Sequence, residues 1–197
     1  MLRNYAPLPF QPLPPSSGYA QPTQPAPDRV QLDSPAIDAM TDLTRVGAVI
    51  VLAGDTVDEA HRRMVQRGVR LLLVVDQDRK VLGVITANDV AGEKPVQIAV
   101  QQSLHRDEVL VRNVMQPSAS LQVLDLELVR AAKVGHIVAT LKEVGRQHAV
   151  VVERAERGGV RVRGIFSTTQ IMRQLGMTIQ TDAVANTFAE IEAQLSR

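Results

Sequence analysis

The chain has 197 residues, enough for one compact domain or two small ones, and its 45% hydrophobic content suffices for a buried core. Its 22 Lys and Arg nearly cancel 21 Asp and Glu, and a net charge of +1 excludes a whole-molecule field for DNA, a membrane surface or an acidic substrate. The absence of cysteine excludes disulfides, thiolate metal sites and a thiol nucleophile.

Nine of the 11 prolines fall within the first 35 residues, among Gln, Ser and Ala. Proline fixes φ and removes a backbone donor, so residues 1–33 read as a leader without helix or sheet. Tyr5, Phe10 and Tyr19 within it are available to dock on a folded surface or a partner. The leader lacks the unbroken apolar stretch of an export signal, and a cytosolic location is expected. The longest apolar runs, such as Val46 to Ala53, fall far short of the ~20 residues that a membrane helix needs.

From Ser34 the pattern becomes repetitive. In the first copy, residues 34–92, Ala39-Met40 leads to an apolar run from Val46 to Leu52. Thr56 then opens a helix with Val57, Ala60, His61, Met64 and Val65 on one face, and Gly68 closes it. A buried strand from Leu71 to Val75, a turn from Asp76 to Arg79, a strand from Val81 to Thr86 and a short helix from Ala87 follow. Residues 93–110 link the copies through a helix over Pro95 to Leu104.

The second copy, residues 111–176, opens at Val114-Met115. It carries a helix from Val134 to Val144 with Ile137, Val138 and Leu141 inward, ended by Gly145. Strands from Ala149 to Glu153 and from Val160 to Ser167 flank a charged hairpin, and a helix from Thr168 to Leu175 closes the unit. Met40 pairs with Met115, Val57 with Val134 and Gly83 with Gly164, at spacings of 75, 77 and 81. After Gly176, the residues Val184, Phe188, Ile191 and Leu195 form an apolar stripe at helical spacing, which predicts an amphipathic helix over 177–197.

The chemistry concentrates in Gly83-Val84-Ile85-Thr86-Ala87-Asn88-Asp89-Val90, a strand ending in a hydroxyl with an acid three positions later. At such a junction free N–H groups and the helix dipole suit a phosphate, and Asp89 can accept hydrogen bonds from two ribose hydroxyls. The same two residues also make a plain helix cap, and both readings stand. The four histidines are scattered without metal-ligand spacing, Ser167 lacks a nucleophile frame, and no catalytic constellation or metal site is expected.

A Gly-apolar-apolar-Thr/Ser-x-x-Asp string, preceded by an Ala-Met-Thr opening and repeated once, resembles the pattern of cystathionine β-synthase (CBS) domain pairs, or Bateman modules. The resemblance spans about Ser34 to Leu175. It implies an α/β (α+β) fold of two tandem β-α-β-β-α units packed as a pseudo-two-fold module, here a stand-alone regulatory protein and not an enzyme. It also implies two inter-repeat clefts for AMP, ADP, ATP or S-adenosylmethionine, with no cofactor required.

By that resemblance one cleft uses Thr86 and Asp89 on ribose and phosphate, Val84 as floor, and the backbone around Arg146 and Gln147 for adenine. The other takes Thr44, Val49, Val69 and Arg70 with Ile165, Ser167 and Gln170. Gln170 departs from the pattern, which has an acid there, and a neutral amide lacks the charge-assisted strength of a carboxylate. The Leu71 to Val75 strand also lacks the family's proline. Arg70 and Arg146 read as equivalent cleft-facing positions. The implied partners are a second copy in a homodimer and a regulated protein. A ligand-free interaction scaffold is the alternative, and nucleic acid finds no basic helix face.

Overall fold

The structure, a computed structural model, describes residues 29–154 and 158–177. Most of the expected leader, nearly all of the expected C-terminal helix and part of the charged hairpin lie outside the described residues. No helix among the described residues is long and apolar enough to cross a membrane.

In chain order the elements are β1 (Thr41–Asp42), β2 (Ile50–Leu52), α1 (Val57–Arg67), β3 (Leu71–Val75), β4 (Val81–Thr86), α2 (Ala87–Ala91) and α3 (Lys94–Gln102). They continue with α4 (Val111–Val114), β5 (Gln116–Pro117), β6 (Val123–Asp125), α5 (Leu126–Ala131), α6 (Val134–Glu143), β7 (His148–Arg154), β8 (Val160–Ser167) and α7 (Thr168–Gln174). The strands form two four-stranded sheets of mirrored order, β2-β3-β4-β5 and β6-β7-β8-β1. In each, a short parallel pair precedes an antiparallel hairpin, and the hairpin's second strand carries a two-residue strand from elsewhere.

That last strand is exchanged between the halves. β1 opens the first repeat but pairs with β8, while β5 opens the second repeat and pairs with β4. The segments before them cross as well: the Val57 N–H donates to Val109 O and the Val134 N–H donates to Ser34 O, both at 2.9 Å. Val109, Val111 and Val114 are buried in the first half's core, and Ala36, Ala39 and Met40 in the second's. Each half therefore completes its core with the other's lead-in.

The strands explain why β3 reads as an unbroken apolar run. Side chains alternate faces along a strand, so Leu72 and Val74 enter the first core beneath α1 while Leu71 and Leu73 face the seam between the sheets. Val84 and Val150 complete that seam cluster, with Ile50, Leu121, Val152 and Ile165 packed around it. Both faces are buried, so neither needs polar residues.

Three local expectations change. The run from Val46 yields only the three-residue β2, because the Arg45 and Val46 N–H groups both turn back to donate to Asp42 O at 3.0 Å. On α1 only Val57, Ala60 and Met64 are buried, whereas His61 and Val65 face outward. The repeat spacing is also altered by a helix, not by loops alone: α5 stands between β6 and α6, capped by Asp125, which accepts from the Glu127 N–H at 2.8 Å.

Candidate functional site

Two cavities open along the seam at pseudo-equivalent places. The first, about 210 Å³, is lined by Val84, Thr86, Asn88 and Asp89 of one half and by Gly145, Arg146, Gln147 and His148 of the other, with Gln116 and Leu121 between. The second, about 170 Å³, is lined by Gly68, Val69 and Arg70 together with Ile165, Ser167, Thr169, Gln170 and Arg173, and Thr41 closes it. His148 and Leu71 line both.

The mirrored construction fixes which residues correspond. α1 ends at Gly68 with φ 62°, and Gly145, just past α6, has φ 63°. Beyond these turns Arg70 O accepts the Ala87 N–H and Gln147 O accepts the Thr168 N–H, each at 2.9 Å. Arg70 is thus the counterpart of Gln147, and Arg146 of Val69. The expected equivalence of Arg70 and Arg146 fails by one residue, because it followed residue type and not the hydrogen-bond register.

At the β4–α2 junction, the Thr86 N–H and hydroxyl both donate to Asp89 Oδ2, at 2.8 and 2.6 Å. The Asp89 N–H returns a bond to Thr86 Oγ1 at 3.3 Å, which closes a capping box. The plain cap is real, and Asp89 Oδ1 has no hydrogen bond among the described residues. α2 is only five residues long, so little macrodipole supports the helix-end contribution expected from the sequence.

The corresponding β8–α7 junction is open. Ser167 makes no side-chain cap bond, and Gln170 replaces the acid that would have drawn its hydroxyl in. Thr44 and Val49 do not line the second cavity. The Thr44 hydroxyl and N–H both donate to Asp42 Oδ1, at 2.6 and 2.8 Å, which holds the side chain in its own turn. Val49 packs against the first half's core.

His148 sits between the cavities, paired in register with Ser167. Burial, and then the Arg70 charge, push its imidazole down to about 4, against an upward pull from Asp89. Nearby, Asp42 is hydrogen-bonded and ion-paired to Arg163, which also bonds Glu153 at 3.3 Å. Burial acts to raise the Asp42 carboxyl, but bonds from Arg163 and Thr44, together with the Arg163 charge, bring it down to about 2. Among the described residues no three His, Asp or Glu side chains gather to hold a metal ion.

Sequence reasoning missed Gln116, Thr41, Thr169 and Arg173 as lining residues. The signal for the first two was present: they directly follow Met40 and Met115, the paired openings of the repeats.

Residues 36–94 match the model of the CBS domain family. Over those residues the chain is similar to CBS domains. Comparison with curated proteins found no match. Among solved structures, the chain is similar to a conserved protein from Pyrococcus horikoshii at 21% identity, covering 78% of this chain and 100% of that one, with a TM-score of 0.55. It is similar to CBSX2 of Arabidopsis thaliana in complex with AMP at 19% identity, covering 83% and 99%, with a TM-score of 0.51. A CBS-domain protein from Agrobacterium tumefaciens matches at 20% identity over 69% and 93%, with a TM-score of 0.50. These likenesses are of fold, and the mixed helix-and-strand fold with two sheets is that of CBS-domain pairs.

Proposed function

We propose that the first cleft binds an adenosine-containing nucleotide, AMP, ADP, ATP or S-adenosylmethionine, and that the protein is a regulatory sensor and not an enzyme. The supporting observation is the convergence of the Thr86–Asp89 box of one half with the Gly145–His148 turn of the other around a single cavity. Leu71, Val84 and Val150 give that cavity a buried apolar floor suited to a flat base. Asp89 Oδ1 is open to a ribose diol, and Arg146 makes no ion pair among the described residues and is free for phosphate. CBSX2 in complex with AMP shares the fold.

A nucleotide spanning this cleft touches both halves, so it favours whichever relative packing it contacts best. It shifts the populations only by its differential affinity for the two packings. A partner protein that reads the packing would then sense occupancy.

The capping box supports a second reading, in which the cleft is vestigial and the module is a ligand-free scaffold, because Thr86 is already satisfied without a ligand. Calorimetric titration of AMP separates the two. Asp89→Asn is expected to weaken AMP at least about tenfold, roughly 1.4 kcal/mol, with Gln170→Ala affecting it less. Equal affinities for the two variants, or no AMP binding by the wild type, would sink the sensor reading.

A further inference from the structure

We propose that the second cleft is an oxyanion site that holds a phosphoryl group through Arg70 and Arg173 and does not read a ribose. It is a different cavity from the adenosine cleft and takes a different ligand class, so it does not depend on that reading.

The two cavities are alike in backbone but differ in charge, the first balanced and the second positive. The first is lined by a carboxylate, Asp89, and one arginine, Arg146. Among the described residues, the second is lined by two arginines and no carboxylate. Where Asp89 stands in the first, Gln170 stands in the second, so no charged acceptor faces a diol there.

The polar groups of the second cleft are also unspent. The side chains of Ser167, Thr169, Gln170 and Arg173 make no hydrogen bond or ion pair among the described residues. Thr86, the counterpart of Ser167, is by contrast locked to Asp89. Among the described residues the Arg70 side chain makes one hydrogen bond, to Asn88 Oδ1 at 3.5 Å, the outer limit for such a bond. Two guanidinium groups with hydroxyl and amide donors around about 170 Å³ supply positive charge and several hydrogen-bond donors to an anion. Each guanidinium fork can pair with two phosphoryl oxygens, so two of them on one cavity provide matched donors for a phosphoryl group.

A phosphoryl group reaches such a site either as a free ion or as the tail of a nucleotide. The test is calorimetric titration of the full chain with sodium pyrophosphate at constant ionic strength. Saturable binding is expected, weakened at least tenfold by Arg173→Gln and by Gln170→Glu, which puts a carboxylate among the donors, and changed less than twofold by Asp89→Asn. Adenosine should not displace it. Displacement by ADP assigns the group to a nucleotide tail, and no displacement assigns it to a free ion; either result supports the site.

Absence of pyrophosphate binding by the wild type overturns the proposal. So does wild-type affinity in Gln170→Glu, a near-isosteric change at a partly exposed position that keeps the inquiry open if Arg173→Gln melts early. AMP titrated into the same samples keeps the two readings apart: AMP bound without pyrophosphate fails only this one, and pyrophosphate bound without AMP fails only the other.

Discussion

Gly83 lies so close to Gln116 that a Cβ on it would stand 2.2 Å from that residue's carbonyl oxygen. The contact is the crossing point of the exchanged strand β5 over β4, where Gly83 pairs with Pro117. Its counterpart, Gly164, would place a Cβ 2.3 Å from the Met40 sulfur. Backbone cannot yield as a thioether can. Gly83→Ala is therefore expected to destabilise by about 2–4 kcal/mol and Gly164→Ala by less, about 1–3 kcal/mol. Urea midpoints check this, and Met40→Ala should relieve part of the Gly164→Ala cost but none of the Gly83→Ala cost. Unchanged midpoints for Gly83→Ala would mean that the crossing is looser than described.

The same glycines show what could be read in the sequence. Their regular recurrence marked the duplication, and short apolar runs on either side of the Asp76–Arg79 turn marked β3 and β4, because these signals are local in the chain. The reason for the glycines is not local. It lies in lead-in segments that leave their own repeat to pack in the other, and nothing in the spacing of Met40 and Met115 says which sheet they join. Thr44 fails as a cleft residue for a similar reason, since its partner Asp42 is fixed by Arg163, 121 positions away. Helix α5 was missed because its six residues are too few to show a period.

The capping asymmetry gives a second expectation. Thr86 closes a box with Asp89 and Ser167 closes none. Thr86→Ala should cost about 1 kcal/mol, the usual value of an N-cap. Ser167→Ala should stay within about 0.5 kcal/mol of wild type. Denaturant unfolding in the absence of ligand measures both, and equal losses would contradict the open junction at α7.

Asp42 ties the exchanged strand β1 to β8, with its side chain and that of Arg163 each 15% exposed. Its folded value is about 2, below the ordinary 3.8, so its contribution is fully present above pH 3.8 and is lost as the pH falls toward 2. After allowance for solvent screening, that contribution is about 1–2 kcal/mol. Asp42→Asn should therefore be less stable than wild type at pH 7, with the gap closing by pH 2. A gap that stays constant across that range would show that the pair does not titrate with folding.

His148 brings the opposite kind of group to the same linkage. Its folded value near 4 lies below the ordinary 6.5, so protons prefer the unfolded chain between those limits. Stability is then full above pH 6.5, falls as the pH drops toward 4 and levels off below. The slope within the window approaches about 1.4 kcal/mol per pH unit, for a total of about 2–3 kcal/mol. Arg70, just before β3, and Arg173 of α7 line the second cavity with the imidazole, and Arg146 and Asp89 line the first cavity beside it. Only Asp89 favours the proton, so burial and Arg70 prevail. His148→Gln keeps a polar side chain without the titration, and its stability relative to wild type should rise steadily from pH 6.5 to 4. Parallel urea midpoints for the two proteins across that window would mean that His148 is hydrated enough to protonate in place, and that the wall between the cavities is wetter than its packing indicates.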